Sequence, residues 1–214
     1  MLIEEAIAGG WEIEAQFVDP KGRAVPGAGG HVFDLAPHVM QRVASTQTPQ
    51  PVLAVVRMQG TSIAALAGAS MVVVSDRVSD PGNMGTILRS AEAAGVDGIV
   101  LLSGSVDPFN PKVVRASAGS LFHVPLVEDV AMHELQGLGL PLVGTSSHQG
   151  APYTEADLAR PFALVLGNEA HGVDPQLPID EWISIPHVGR AESLNVAMAA
   201  TLVVFEAVRQ RVGR

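Results

Sequence analysis

Residues 71–95, MVVVSDRVSDPGNMGTILRSAEAAG, decide the fold class. Met71-Val72-Val73-Val74 is apolar at every position, the pattern of a strand covered on both faces rather than one with a wet side. Asp80-Pro81-Gly82-Asn83 then makes a tight turn. Asn83 can cap a helix that runs to residue 94, and Gly95 stops it. Strand, polar loop and helix in that order form the repeating unit of a parallel α/β sheet. The unit recurs downstream, where apolar runs at 98–102, 123–127, 141–144, 163–166 and 182–185 alternate with helical patterns. Asn110-Pro111 is a cap followed by proline at the first helical position. From Leu194 onward the spacing Leu194, Ala197, Thr201, Val204, Val208 predicts a closing amphipathic helix.

Upstream, 4–9 and 38–46 read as helices and 13–18 and 52–56 as strands, which makes a second, smaller α/β unit. The stretch 59–68 is small and polar, so the boundary is placed near residue 65, giving units 1–65 and 66–214. The chain opens inside a helical pattern, and the first unit therefore reads as N-terminally short. Between its strands, KGRAVPGAGG at 21–30 reads as a flexible loop.

Composition removes whole classes of function. Of 214 residues 47% are apolar, enough for a sizeable core, yet no apolar run approaches the roughly 20 residues that cross a bilayer. Cysteine is absent and the first residues are acidic, so neither a disulfide framework nor a secretory signal is expected, and a cytoplasmic location fits. Thirteen basic residues against 22 acidic ones give a net charge of −9, which excludes a coat that grips nucleic acid through bulk charge. Lys21 and Lys112 are the only lysines, so the cationic chemistry rests on arginine, a fork-shaped donor suited to phosphate. Phosphate-loop, dinucleotide, serine-hydrolase and zinc signatures are missing, and the seven histidines are scattered without metal spacing. His123 and His133 read as ordinary residues, and no metal is expected.

What remains are three polar loops, each following a predicted strand, where open α/β sheets place their ligands. The first, 79–91, exposes the N–H groups of a helix N-terminus and carries Arg89 further along; a capped helix with a surface arginine explains it equally well. The second, 166–173, sets Asn168 and Glu169 between two glycines that let backbone approach a ligand, although Glu169 could merely cap a helix. The third, 185–196, brings Ser193 and Asn195 to the start of the last helix, where Ser193 could merely be the N-cap and Asn195 a first-turn residue. Each loop alone is a weak signal, and their combination is strong.

In order and spacing these loops resemble the three motifs of the SpoU/TrmH branch of the SPOUT methyltransferases, over residues 71–214. The stretch 106–120 is similar to another segment common in that family. The N-terminal unit resembles, more loosely, the L30e-type RNA-binding domain that many members carry. The resemblance implies a parallel-sheet catalytic domain with a C-terminal trefoil knot and S-adenosylmethionine as cofactor. It implies a homodimer, packed through the first-motif and last helices, and methyl transfer to a ribose 2′-hydroxyl of RNA. Ribosomal RNA, 23S in particular, stands ahead of tRNA as substrate. A base methyltransferase and a catalytically silent RNA-binding or ribosome-assembly factor are the other readings.

Carried onto this sequence, the catalytic set is Asn83, Arg89, Glu169, Ser193 and Asn195. Thr145, Ser146, Gly167, Asn168, Ile185, Pro186 and Leu194 surround the cofactor. The family assigns activation of the hydroxyl to the arginine, but a guanidinium with a pKa above about 12 does not give up its proton. Arg89 is therefore expected to hold a phosphate or the developing alkoxide, with Asn83, Ser193 and Asn195 orienting it and Glu169 fixing the arginine or a loop. The spatial expectation is that all three loops converge on one cleft, with Arg89 facing the methyl group and Lys112, Arg115 and Arg190 gathered nearby in a basic patch.

Overall fold

A computed structural model describes residues 2–44 and 46–212. Two units emerge, Met1–Gln59 and Gly60–Arg214. The division lies ahead of residue 65 because a single helical turn, Ile63–Leu66, buries Leu66 in the core of the second unit beside Val72 and Val74.

In the first unit, α1 (Leu2–Ala8) precedes β1 (Ile13–Val18), β2 (His31–Asp34), α2 (Val39–Val43) and β3 (Val52–Val56). The sheet order is β2-β1-β3, with β1 parallel to β2 and antiparallel to β3. The loop at 21–30 is pinned, not free. Buried Gln16 accepts from the Val25 N–H at 2.8 Å and donates to the Val25 carbonyl at 3.2 Å, so a side chain serves as a ladder partner for the loop. β2, which the composition did not announce, follows that anchored loop and lays Phe33 on Phe17 with ring centroids 5.3 Å apart. The helix expected over 38–46 is shorter, because Ala44 turns to extended backbone; Ser45 lies outside the described residues.

The second unit holds β4 (Met71–Ser75), α3 (Pro81–Ala93), β5 (Gly98–Leu101), α4 (Pro111–Ala116), β6 (Leu126–Val127), α5 (Met132–Gln136), β7 (Leu142–Thr145), β8 (Ala151–Pro152), β9 (Phe162–Leu166), β10 (Glu181–Ser184) and α6 (Val196–Val212). Its seven-stranded sheet is parallel throughout, in the order β6-β5-β4-β9-β7-β10-β8. The central strands β4, β5 and β9 are buried at every position, as their all-apolar runs require. The run at 123–127 becomes a strand only from Leu126. Ala118 and Gly119 adopt left-handed backbone and start a helical turn, Ser120–Phe122, in its place.

Register places the site. Ser75 lies beside Leu166, Gly144 beside Val165 and Trp182 beside Gly144, so the loops after β4, β7, β9 and β10 all leave the same edge of the sheet. The N-cap of α3 is Asp80, whose Oδ1 accepts from the Asn83 N–H at 2.8 Å. Asn83 is thus not the cap its sequence position suggested, and its side chain is left for other partners. α6 is buried along Ala197, Ala200, Val203, Val204 and Ala207, a face rotated from the expected stripe. Leu194 precedes the helix, and Thr201 joins Ser90 of α3 through a 2.6 Å hydroxyl pair. A second face, Met198, Leu202 and Phe205, stays uncovered. Near the end of α6, Arg211 donates to the carbonyls of Ser70 and Arg160 at 2.9 and 3.1 Å and sits 5.8 Å from the Phe162 ring centre.

α3 and α4 meet where Gly85 faces Ala116: a Cβ on Gly85 would come within 2.3 Å of the Ala116 Cβ and 2.7 Å of its backbone carbon. Gly85→Ala should lower stability by about 1–3 kcal/mol through overpacking, although alanine is the better helix former. Thermal unfolding reads the loss, and Ala116→Gly in the same chain should recover only part of it, since the backbone contact remains. A Gly85→Ala protein as stable as the parent would show that these helices separate at no cost.

Candidate active site

The three polar loops are joined by one continuous hydrogen-bonded chain. Glu169, in the loop after β9, receives the Ser79 N–H at 3.1 Å and the Ser79 hydroxyl at 3.0 Å on Oε2. Its Oε1 receives the Asp80 N–H at 3.1 Å and Asn83 Nδ2 at 2.9 Å. Asn83 in turn accepts from Asn195 Nδ2 at 2.8 Å. Asn195 Oδ1 caps α6, taking the N–H groups of Ala197 and Met198 at 2.9 and 3.3 Å. Asn195, not Ser193, therefore takes the cap expected of Ser193, and Glu169 fixes a loop, not the arginine.

Partial burial pushes the Glu169 carboxyl up. The hydrogen bonds from the Asn83 side chain and from the N–H groups of Glu169 itself, Asp80 and Ser79 outweigh it and hold the group at about 2, against an ordinary 4.5. At neutral pH Glu169 is a fixed anion and not a proton acceptor for chemistry.

Beside this chain lies a cleft of about 560 Å³. Thr145, Ser146, Gly167, Asn168, Glu169, Ile185, Ser193, Leu194 and Asn195 line it. Pro186, Asn83 and Arg89 do not, although Asn83 reaches the wall through Glu169 and Asn195. Arg89 is exposed on α3 and makes no hydrogen bond or ion pair among the described residues. It lies six positions beyond Asn83, about 9 Å along the helix and roughly 120° around it, so the two side chains leave different faces. The guanidinium expected to face the cleft lies outside it.

Local geometry explains the walls. Gly167 has no room for a side chain: a Cβ would lie 2.1 Å from the backbone of Gly172 and Val173. Asn168 pairs with Gly172 in both directions, at 3.0 and 2.8 Å. Its side chain donates to the Arg77 carbonyl at 2.9 Å and accepts from Ala170 N–H at 3.0 Å, so it braces the loop. Thr145 Oγ1 donates to the Val165 carbonyl at 3.3 Å, and Ser146 N–H donates to Ile183 at 3.0 Å.

Sequence reasoning missed Asp76, Arg77 and Asp174. Asp76, 4% exposed, accepts from Arg77 Nε at 3.0 Å and from the Asp174 N–H at 2.7 Å, while Arg77 also pairs with the Asp174 carboxylate at 3.2 Å. This latch holds the far end of the Gly167 loop to the end of β4. The legible signal was an acidic residue directly after Ser75, at the end of a strand otherwise apolar, where a carboxylate needs a partner. His148, His171 and His187 were also missed as cleft residues. No group of three or more metal-ligating side chains occurs among the described residues, and no described helix is long and apolar enough to cross a membrane.

Because the folded Glu169 value lies below its ordinary one, its stabilisation is full above about 4.5 and fades as pH falls toward 2. Glu169→Gln, which turns a donor toward donors, should lower stability by roughly 1–2 kcal/mol at neutral pH, allowing for exposure. The gap between variant and parent should close on acidification. Melts in a pH series check both, and a constant gap would show that the carboxylate is not the source.

Known proteins carry the same sequence pattern and shape. Residues 70–205 match the model of the SpoU rRNA Methylase family. Over 212 residues the chain is 39% identical to the 23S rRNA (guanosine(2553)-2'-O)-methyltransferase RlmP of Bacillus subtilis (strain 168), spanning 95% of this chain and 84% of that protein. It is 35% identical over 192 residues to the 23S rRNA (uridine(2479)-2'-O)-methyltransferase of Streptomyces viridochromogenes, spanning 83% and 67%. The crystal structure of the SpoU methyltransferase AviRb from Streptomyces viridochromogenes, in complex with the cofactor AdoMet, superposes with a TM-score of 0.88 at 32% identity, covering 99% of this chain and 88% of that one.

Proposed function

The chain belongs to the SpoU rRNA methylase family, and on that premise we propose that it transfers the methyl group of S-adenosylmethionine to a ribose 2′-hydroxyl of 23S ribosomal RNA. The observation that carries this reading is the convergence of the loops after β7, β9 and β10 on one cleft, tied to α3 and α6 through Glu169, Asn83 and Asn195. The residues present fit the cofactor. The volume of about 560 Å³ suits a nucleoside-sized ligand, and the bare backbone at Gly167 lets one approach closely. Thr145, Ser146, Asn168, Ile185 and Leu194 complete its surroundings.

When bound, S-adenosylmethionine supplies an electrophilic methyl on a sulfonium, so the protein has to align the hydroxyl oxygen, the methyl carbon and the leaving sulfur. The oxygen–carbon bond forms as the carbon–sulfur bond breaks, and the hydroxyl proton passes to solvent. Ser193 lines the cleft with no side-chain partner among the described residues, which suits its Oγ to receive the hydroxyl as a hydrogen-bond acceptor. Asn83 and Asn195 hold the loops in register, and the Glu169 carboxylate locks α3 to the Gly167 loop. Arg89, exposed and outside the cleft, suits an RNA phosphate better than the alkoxide itself.

In this reading the second unit is the catalytic domain, knotted at its C-terminal end, and the first is an L30e-like RNA-binding domain. The protein acts as a homodimer in the cytoplasm. Met198, Leu202 and Phe205 on α6 are 58%, 40% and 44% exposed on one helix face, an apolar stripe that a two-fold partner would cover.

Transfer of labelled methyl from S-adenosylmethionine to 23S rRNA, with ribose methylation mapped, tests the function directly. Arg89→Lys keeps charge and loses the fork, so transfer should fall by about tenfold through weaker RNA positioning while cofactor affinity holds. Parent-like transfer by this variant would remove Arg89 from the mechanism. Phe205→Glu should shift the protein to monomer in sedimentation and leave its melting behaviour close to that of the parent at equal monomer content; an unchanged sedimentation coefficient would rule this face out as the interface.

A further inference from the structure

The cleft is one-sided in charge. Its lining holds two carboxylates, Glu169 and Glu192, and no lysine or arginine; His148, His171 and His187 are its other titratable side chains. Both carboxylates are exposed, so neither is walled off from an occupant. Glu169 is an anion fixed by its four donors, whereas Glu192 makes no hydrogen bond or ion pair among the described residues. Nearby cations do not pair with them. Arg190, two positions before Glu192, is exposed, lies outside the lining and forms no ion pair among the described residues. Arg77, bonded to Asn168 through its carbonyl, is committed to Asp76 and Asp174. A cleft lined by one sign of charge focuses its field on whatever it holds.

At neutral pH S-adenosylmethionine carries a sulfonium, an ammonium and a carboxylate, and so one net positive charge. S-adenosylhomocysteine, which remains once the methyl has left, lacks the sulfonium charge and is neutral overall. The two molecules differ by one methyl group and are otherwise alike in shape, so neutral walls would have little with which to tell them apart. Charge is the larger difference, and it acts across the cleft without direct contact. Glu192 stands next in the chain to Ser193, the residue suited to receive the acceptor hydroxyl, and Glu169 reaches Asn195 through Asn83. Both anions thus belong to the part of the cleft where methyl and hydroxyl meet.

We propose that Glu192, adding to the fixed charge of Glu169, biases the cleft toward the cationic cofactor and against its neutral product. This rests on the reading of the cleft as an S-adenosylmethionine site, and it gives a role to a residue outside the set reached from the motifs. The benefit lies in exchanging spent for fresh cofactor and not in the chemical step, because the sulfonium charge is already fading in the transition state. Specificity of this kind is a difference of two affinities, so one unpaired carboxylate is enough to tilt it.

The test is calorimetric titration of the full chain with S-adenosylmethionine, S-adenosylhomocysteine and 5′-methylthioadenosine, a neutral thioether without the amino-acid end. At about pH 8.5 an ordinary imidazole is uncharged, which leaves the carboxylates as the charges of the lining. Glu192→Gln should lower the preference for S-adenosylmethionine over S-adenosylhomocysteine by about fivefold, with 5′-methylthioadenosine bound within about twofold of the parent. Glu192→Asp, which keeps the charge, should hold the preference within about twofold of the parent. Added salt should erode the preference more steeply in the parent than in Glu192→Gln, a readout that a merely structural role would not move. An unchanged preference in Glu192→Gln, or equal weakening of all three ligands, overturns the proposal. Failure of the unaltered protein to bind S-adenosylmethionine and 5′-methylthioadenosine overturns the cofactor reading as well, which separates the two failures.

Discussion

Glu169 and the residues it binds stand about ninety positions apart, and the site exists because one carboxylate spans that gap. Four donors from Ser79, Asp80 and Asn83 converge on its two oxygens, so the loop after β9 cannot move without dragging the start of α3. Asn83 passes the constraint to Asn195, and Asn195 passes it to the first turn of α6. A carboxylate near a helix N-terminus is also favoured by the dipole of α3. A group whose two oxygens each take two charge-assisted hydrogen bonds is a scaffold, and this separates Glu169 from the acid–base work that an acidic residue beside a cleft would ordinarily suggest.

The latch of Asp76, Arg77 and Asp174 does for the far end of the same loop what Glu169 does for the near end. Both ends are tied to the loop after β4, the neighbouring strand in the sheet. The cleft floor is thus set by strand order: because β9 lies between β4 and β7, segments distant in the chain leave the sheet side by side. Parallel sheets place ligand sites at such edges, and here Asp76, Ser146 and Asn168 lie within two positions of the ends of β4, β7 and β9.

Much of this was legible in the sequence. All-apolar runs such as 71–74 and 163–166 announced strands covered on both faces, and glycine, proline and asparagine marked the loops between them. Side-chain commitments were less so. Asp80 and Asn83 are both good caps by type, and only the geometry of the first turn shows that Asp80 takes the role and releases Asn83. Arg89 reads as a partner of Asn83 along the chain, yet helical rotation turns the two apart. β2 was hidden because His31–Asp34 is exposed at every position and carries no burial pattern, and the two-residue β8 is too short to have one. The stripe on α6 misled by one position in phase, since the helix has two apolar faces and the sequence does not say which one meets α3.

The clamp at Arg211 bears on how the molecule comes into being. Its guanidinium reaches back to Ser70, just ahead of β4, and to Arg160 and Phe162 at the entrance to β9. These two strands form the middle of the sheet, but α6 leaves the ribosome after every one of the seven. During synthesis the Arg160 carbonyl at the entrance to β9 therefore waits for its donor, while the Ser70 carbonyl already takes the Phe162 N–H at 3.0 Å, and the central pair gains its last polar contacts only when the final helix arrives.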